Sequence, residues 1–173
     1  AKFTIVPKDG KSATDYTWTS DASWVSVADG VVTFTGTGTG DKVTITGTPS
    51  SGQGNIIKYS FTLKSWFINN GGTLLTWSDA NTYCSSQSGY SQSTVSEMTQ
   101  HTNYSATRTR GTGALWNEWG DLAAYSGAGF SGNYYWSSEQ KSSGYHYVVV
   151  LGNGFVGSNY DSNTNYVVCR QGL

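Results

Sequence analysis

Residues 1–64 alternate polar and apolar positions with a period of two. The runs "YTWTS" (16–20), "WVSV" (24–27), "VVTFTG" (31–36) and "KVTITG" (42–47) each predict a strand with one face turned inward. Turn-forming stretches, "SDAS", "ADG" and "TGTGD", separate them, and Asp29-Gly30 is a hairpin signal. A further strand is predicted over "IIKYSFTLKSW" (56–66). Short strands at regular spacing, without a helical period, predict an all-β sandwich. No cysteine lies in this half, so the bridge of antibody domains is absent.

From about residue 66 the pattern changes. "TWSDANTYCSSQ" (76–87) predicts a helix capped by Ser78, with Asp79 favourable in its first turn. Ala80, Tyr83 and Cys84 then share one face. "TVSEMTQHT" (94–102) predicts a second, weaker helix capped by Thr94 or Ser96, with Val95, Met98 and Thr102 inward. Gly- and Trp-rich loops follow over 110–133. Three strand-like runs close the chain: "YYWSSE" (134–139), "YHYVVVLG" (145–152) and "NYVVCR" (165–170). Two early helices, long loops and then strands predict an α+β module.

Composition narrows the function classes. Charged residues make up 12% of 173 and the formal net charge is −1, which gives no basic face for nucleic acid. No run of ~18 apolar residues exists to span a membrane as a helix, and no signal peptide opens the chain. The 22 glycines, seven tryptophans and many β-branched residues favour β structure.

The two cysteines, Cys84 and Cys169, leave two readings: both free and buried, or paired in an oxidising compartment. They stand 85 positions apart. In the chain-entropy picture a bridge across such a loop contributes about 4.5 kcal/mol, a large part of a domain's ~5–15 kcal/mol. Two scattered cysteines and two histidines match no zinc spacing.

The second half, with a helix-borne cysteine early and another on the last strand, resembles the C-type-lectin-like fold. The whole chain resembles the C-terminal tip of the intimin/invasin family of bacterial outer-membrane adhesins. "YTWTSDASWVSVADGVVTFTGTGTGDKVTITG" is similar to a bacterial immunoglobulin-like repeat, and "FTLKSWFINNGG" (61–72) to the family's passage between its last two domains. "RGTGALWNEWGD" (110–121), "YYWSSE" and "NYVVCR" are similar to its lectin-like domain. The resemblance implies an immunoglobulin-like domain at 1–65 and a C-type-lectin-like receptor-binding domain at 66–173. It also implies a Cys84–Cys169 disulfide that ties the start of the second domain to its end. The family's members are anchored by an outer-membrane β-barrel and meet a host receptor at the distal domain. Here the anchoring parts would lie outside this fragment, at the bacterial cell surface, and a strand would precede Ala1.

Several residues are candidates for contact or chemistry. Calcium-dependent lectins use a proline-containing triplet and a Trp-Asn-Asp triplet. Neither proline triplet occurs, and upstream of Cys169 "SNYDSNT" offers one carboxylate, Asp161, against the six to eight oxygens calcium takes. In the invasin branch an aspartate in a Ser-Asp-Met-Gln stretch completes an integrin metal site. The nearest match is "SEMT", with Glu97 in the aspartate's place followed by Met98. Glutamate is one methylene longer, a large change where metal–ligand distances tolerate ~0.2 Å.

Trp116, Trp119, Tyr125, Phe130, Tyr134, Tyr135 and Trp136 form an aromatic cluster, of types favoured in protein-recognition hot spots but equally in cores. Phe130, flanked by glycines, and Tyr134 are the better exposed candidates. In "YYWSS", either Tyr135 points in with Tyr134 and Trp136 out, or the reverse. Arg108 and Arg110 are a basic pair suited to an acidic surface. The sequon "NYS" (103–105) carries no weight.

Glu118 and Asp121 raise a glycosidase-like carboxylate pair, but such carboxylates come from different elements. "GTGTG" (36–40) has no following lysine or helix. The expectation is therefore a non-enzymatic adhesin tip that binds a host protein, with no catalytic residue, metal or cofactor. Receptor contacts are expected at Glu97, Met98, Arg108, Arg110, Phe130 and Tyr134. The fragment is read as a monomer without nucleic-acid binding or membrane insertion. Its receptor is left open among an integrin, another surface protein, a co-delivered receptor and an immunoglobulin. The rival readings are a surface glycan hydrolase and a calcium lectin.

Overall fold

The computed structural model describes residues 1–101 and 108–173. The chain divides into two compact units, Ala1–Lys64 with Leu173, and Ser65–Gly172.

The first unit opens with strand β1 (Lys2–Thr4), too short for the alternation to predict, and the period-two runs form β2 (Tyr16–Ser20), β3 (Val25–Ala28), β4 (Val31–Phe34), β5 (Val43–Pro49) and β6 (Ile57–Phe61). They make two antiparallel sheets, β1-β4-β3 and β2-β5-β6. Strand β5 shows how the alternation works: Val43, Ile45, Gly47 and Pro49 are buried and the residues between them are not. Val25, Val32, Val43 and Ile45 make the core, packed against Phe3, Trp18, Trp24, Phe34 and Phe61. Asp29 and Gly30, both at positive φ (50° and 78°), turn β3 into β4. Only a residue tolerant of that region fits, and a Cβ on Gly30 would stand 2.7 Å from the Ala13 Cβ.

The single strand predicted over 56–66 is two strands. β6 ends at Phe61 and pairs with β5 in the first unit, whereas β7 (Ser65–Asn69) opens the second. The apolar alternation runs through both segments. It records burial, not which sheet buries it.

The second unit contains α1 (Trp77–Ser86), β8 (Ser91–Gln92), α2 (Val95–Met98), α3 (Leu115–Trp119), β9 (Tyr134–Ser142), β10 (Tyr145–Val150), β11 (Val156–Tyr160) and β12 (Val168–Gly172). One sheet runs β7-β12-β8 and the other is the meander β11-β10-β9. The two are stitched by main-chain hydrogen bonds from Trp136 to Tyr166 (3.1 Å) and from Ser138 to Ser93 (2.9 Å).

Both faces of the central strands are covered, and the alternation sorts residues between two cores. Val148, Trp136, Val167 and Cys169 face one side with Ala80 and Cys84 of α1. Val149, Tyr135 and Val168 face the other with Met98, Leu115, Trp116 and Leu122. Tyr135 and Trp136 are therefore buried together (1% and 0% exposed). The expected one-in, one-out choice fails because no face of this strand meets water at that point. The Cys84–Cys169 disulfide forms inside the first of these cores, with Cα atoms 5.3 Å apart and both residues fully buried.

Helix starts also differ from expectation. Thr76, not Ser78, caps α1: its hydroxyl accepts from the Asp79 N–H (3.3 Å). Leu75 is held extended by hydrogen bonds with Asn165, so the chain is free to turn one residue later. α2 is one turn, shorter than 94–102, because Thr99 is already extended (φ −153°, ψ 144°). Thr102 and the sequon at 103–105 lie outside the described residues.

Candidate functional site

The loops between β8 and β9 carry most of the sequence-predicted contact residues. α2 starts at Thr94, whose hydroxyl accepts from the Glu97 N–H (3.2 Å) while Glu97 accepts from the Thr94 N–H (2.9 Å). This capping box satisfies two otherwise orphaned donors. The Val95 N–H goes to the Glu139 carboxylate (2.6 Å), which the positive end of the turn favours. The other Glu97 oxygen lies 3.4 Å from the Arg170 guanidinium, and Arg170 also donates to the Ser65 hydroxyl (2.9 Å). Both carboxylate oxygens of Glu97 are thus engaged within the fold.

Met98, expected at a receptor contact, is wholly enclosed (0% exposed). As the inward residue of a one-turn helix it packs with Leu115, Trp116 and Tyr135, so it belongs to the core rather than to a surface. Arg108 and Arg110 divide in role. The Arg108 guanidinium donates to the carbonyls of Asn117 (2.9 Å) and Glu118, capping the C-terminal end of α3. It lies where a side chain on Gly120 would stand. Arg110 is exposed.

Asn117, 3% exposed, ties three segments together. Its side-chain oxygen accepts from the Gln100 N–H (2.8 Å) and its amide donates to the Thr109 carbonyl (3.2 Å).

Phe130, expected to be exposed, is partly covered and packs against Tyr135, with ring centroids 6.0 Å apart. Tyr134, 46% exposed, stays on the surface. Of the rest of the aromatic cluster, Trp116, Tyr135 and Trp136 are buried. Burial pushes the Tyr135 phenol above its ordinary pKa.

The carboxylates are occupied in the same way. Glu118 accepts from the Gly113 N–H (2.8 Å), and Asp121 caps the turn Leu122–Ala124 through the Ala123 N–H (3.0 Å). The Asp161 carboxylate accepts from His146 Nδ1 (2.7 Å). The His146 ring stacks on Trp77 (centroids 3.6 Å, planes 15° apart), and the Trp77 indole donates to the Ser137 carbonyl (2.9 Å). Sequence reasoning missed this cluster. The signal was present: in "YHYVVV" the alternation puts His146 on the buried face of Val148, where an imidazole needs a polar partner. Among the described residues no group of three His, Cys, Asp or Glu side chains stands together as a metal would need.

Comparison with known proteins gives this arrangement a context. The family "Invasin, domain 4" matches residues 1–61. The inverse autotransporter adhesin YeeJ of Escherichia coli (strain K12) is 41% identical over 147 residues, 84% of this chain. Invasin, whose structure is described as that of a bacterial integrin-binding protein, superposes with a TM-score of 0.75 and 26% identity over 93% of this chain. The chain belongs to the intimin/invasin family. Within that family the likeness to intimin shows fold alone. An intimin fragment in complex with the intimin-binding domain of the translocated intimin receptor matches with a TM-score of 0.62 and 20% identity over 91% of this chain.

The fold class follows: an all-β immunoglobulin-like sandwich, then an α+β C-type-lectin-like domain. The chain spans only 6% of the length of YeeJ and 31% of the invasin chain.

Proposed function

We propose that residues 66–173 form the receptor-binding head of a surface-anchored bacterial adhesin, and that this head grips a host protein through loop side chains rather than a sugar through calcium. The observation that carries the reading is the commitment of the carboxylates: Glu97, Glu118, Asp121, Glu139 and Asp161 each serve a backbone N–H or a histidine of the fold. Recruiting several of them to calcium would first break those bonds. Adhesion itself is supported by the relatives: YeeJ is named an adhesin, invasin is described as integrin-binding, and intimin is seen with a receptor domain.

The same bonds speak against Glu97 as a metal-seeking finger, since a receptor-bound ion would have to displace both the capping N–H and Arg170. The exposed pair Arg110 and Tyr134 is the better contact, because Arg and Tyr are the types that dominate binding energy at interfaces.

The test presents the immobilised 173-residue chain to host cells with EGTA added and magnesium kept. Adhesion is expected to survive EGTA and deglycosylation of the cells, and to be lost after surface proteolysis. Arg110→Ala with Tyr134→Ala is expected to weaken it about tenfold or more, and Glu97→Ala to leave it unchanged. Adhesion abolished by both EGTA and deglycosylation would overturn the reading.

A further inference from the structure

The β10–β11 hairpin carries two tyrosines set face to face. Antiparallel register pairs Tyr145 directly with Tyr160. Their ring centroids are 4.2 Å apart and their planes 37° from parallel, closer than the ~4.5–7 Å at which aromatic pairs ordinarily sit. Tyr160 is 55% exposed, and Tyr145 is partly so. The end of the hairpin is held firm. The Asp161 N–H donates to the Gly144 carbonyl (2.9 Å), and Asn159 accepts from the Tyr160 N–H (2.9 Å) and the Asn163 amide (2.6 Å). The neighbouring Tyr160 hydroxyl pushes the Tyr145 phenol above its ordinary pKa. With centroids 4.2 Å apart on directly paired residues, the two rings are in contact.

We propose that Tyr145 and Tyr160 are an oxidative cross-linking site, joined as dityrosine by a haem peroxidase with hydrogen peroxide, and that the new bond staples β10 to β11. Each phenol gives one electron and its phenolic proton to the oxidised haem. The two tyrosyl radicals combine at the carbons next to their oxygens, forming one carbon–carbon bond. The hydrogens on those carbons then move to the oxygens as the rings regain aromaticity. In total two phenols lose two electrons and two protons, and one hydrogen peroxide takes them up as two waters.

Geometry makes the coupling selective, because two reactants held in near-attack contact react as if at very high concentration. A second pair supplies an internal contrast. Tyr135 and Tyr166 are stacked with centroids 5.3 Å apart, but Tyr135 is 1% exposed and its oxygen already accepts from the Ser131 N–H.

The experiment treats the dilute 173-residue chain with a haem peroxidase and hydrogen peroxide, then reduces and alkylates the Cys84–Cys169 bond and cleaves the chain after Lys141 and Arg170. The peptide 142–170 is expected to be lighter by two hydrogens, to show biphenol fluorescence, and to give no fragment ions between Tyr145 and Tyr160. Tyr160→Phe is expected to cut that fluorescence about tenfold, while Tyr166→Phe leaves it intact. The proposal is overturned if Tyr160→Phe keeps the signal, if only dimers between molecules form, or if chain unfolded in urea gives the same internal product.

Discussion

Replacing Cys84 and Cys169 together with alanine tests what holds the second domain shut. The bond joins residues 85 apart in sequence. The chain-entropy relation for that loop gives about 15 cal/mol/K, or about 4.5 kcal/mol at room temperature. The sulfurs are fully buried beside Trp136, Val148 and Val167, so each deletion also leaves a void costing on the order of 1 kcal/mol. The total, about 6 kcal/mol, is comparable with a domain's whole stability. At ~2 kcal/mol per molar urea, the unfolding midpoint should fall by about 3 M. Peptide-resolved hydrogen exchange along a urea series reads the two units separately. Peptides from 134–150 should lose protection early, and peptides from 16–49, in the unit without cysteine, should not move. A shift below about 1 M, or an equal shift in both units, would refute the idea that the covalent clasp dominates the second domain.

Three other outcomes follow from the geometry. Gly154→Ala should destabilise by about 4 kcal/mol in thermal melts, because φ is +76° and the new Cβ would land 2.4 Å from the Trp116 ring. Glu97→Ala should cost about 1 kcal/mol in the same melts through the lost capping box, and Glu97→Gln less, since an acceptor for the Thr94 N–H remains. The Tyr16 hydroxyl donates to Asp9, which lowers the Asp9 pKa and raises that of Tyr16 to about 12. The Tyr16 contribution is complete below its ordinary value of 10.0 and is lost as pH climbs from there to about 12. The Asp9 contribution holds above 3.8 and fades as acid carries the group through its lowered folded value. Melting temperature against pH for Tyr16→Phe should lose the alkaline dependence and keep only a weakened acid one, since the Lys11 N–H still donates to Asp9.

Strands β2 to β5 were legible because one face of each meets water. "YTWTS" is β2 to the residue, and β5 keeps its apolar beat for its whole length. The cysteine pairing was legible through family resemblance, whereas the residues alone left it open. The contact residues were less legible. Met98 had two readings, inward on the helix pattern and receptor contact by likeness to the Ser-Asp-Met-Gln stretch, and Arg108 read as a surface candidate because a loop carries no pattern to show which side faces in. The structure places Met98 in the core and sets Arg108 on the carbonyls of α3.

Composition and periodicity alone determined that this chain is β-rich, weakly charged and built in two differently patterned halves. Those properties are local: each is settled by a residue and its near neighbours. Tertiary structure alone decided that 56–66 divides between two sheets and that Tyr135 and Trp136 are both buried. It alone also brought His146 to Asp161 and Tyr145 to Tyr160. These depend on what packs over a strand from elsewhere in the chain, and a repeating pattern of polar and apolar residues carries no record of its distant partners.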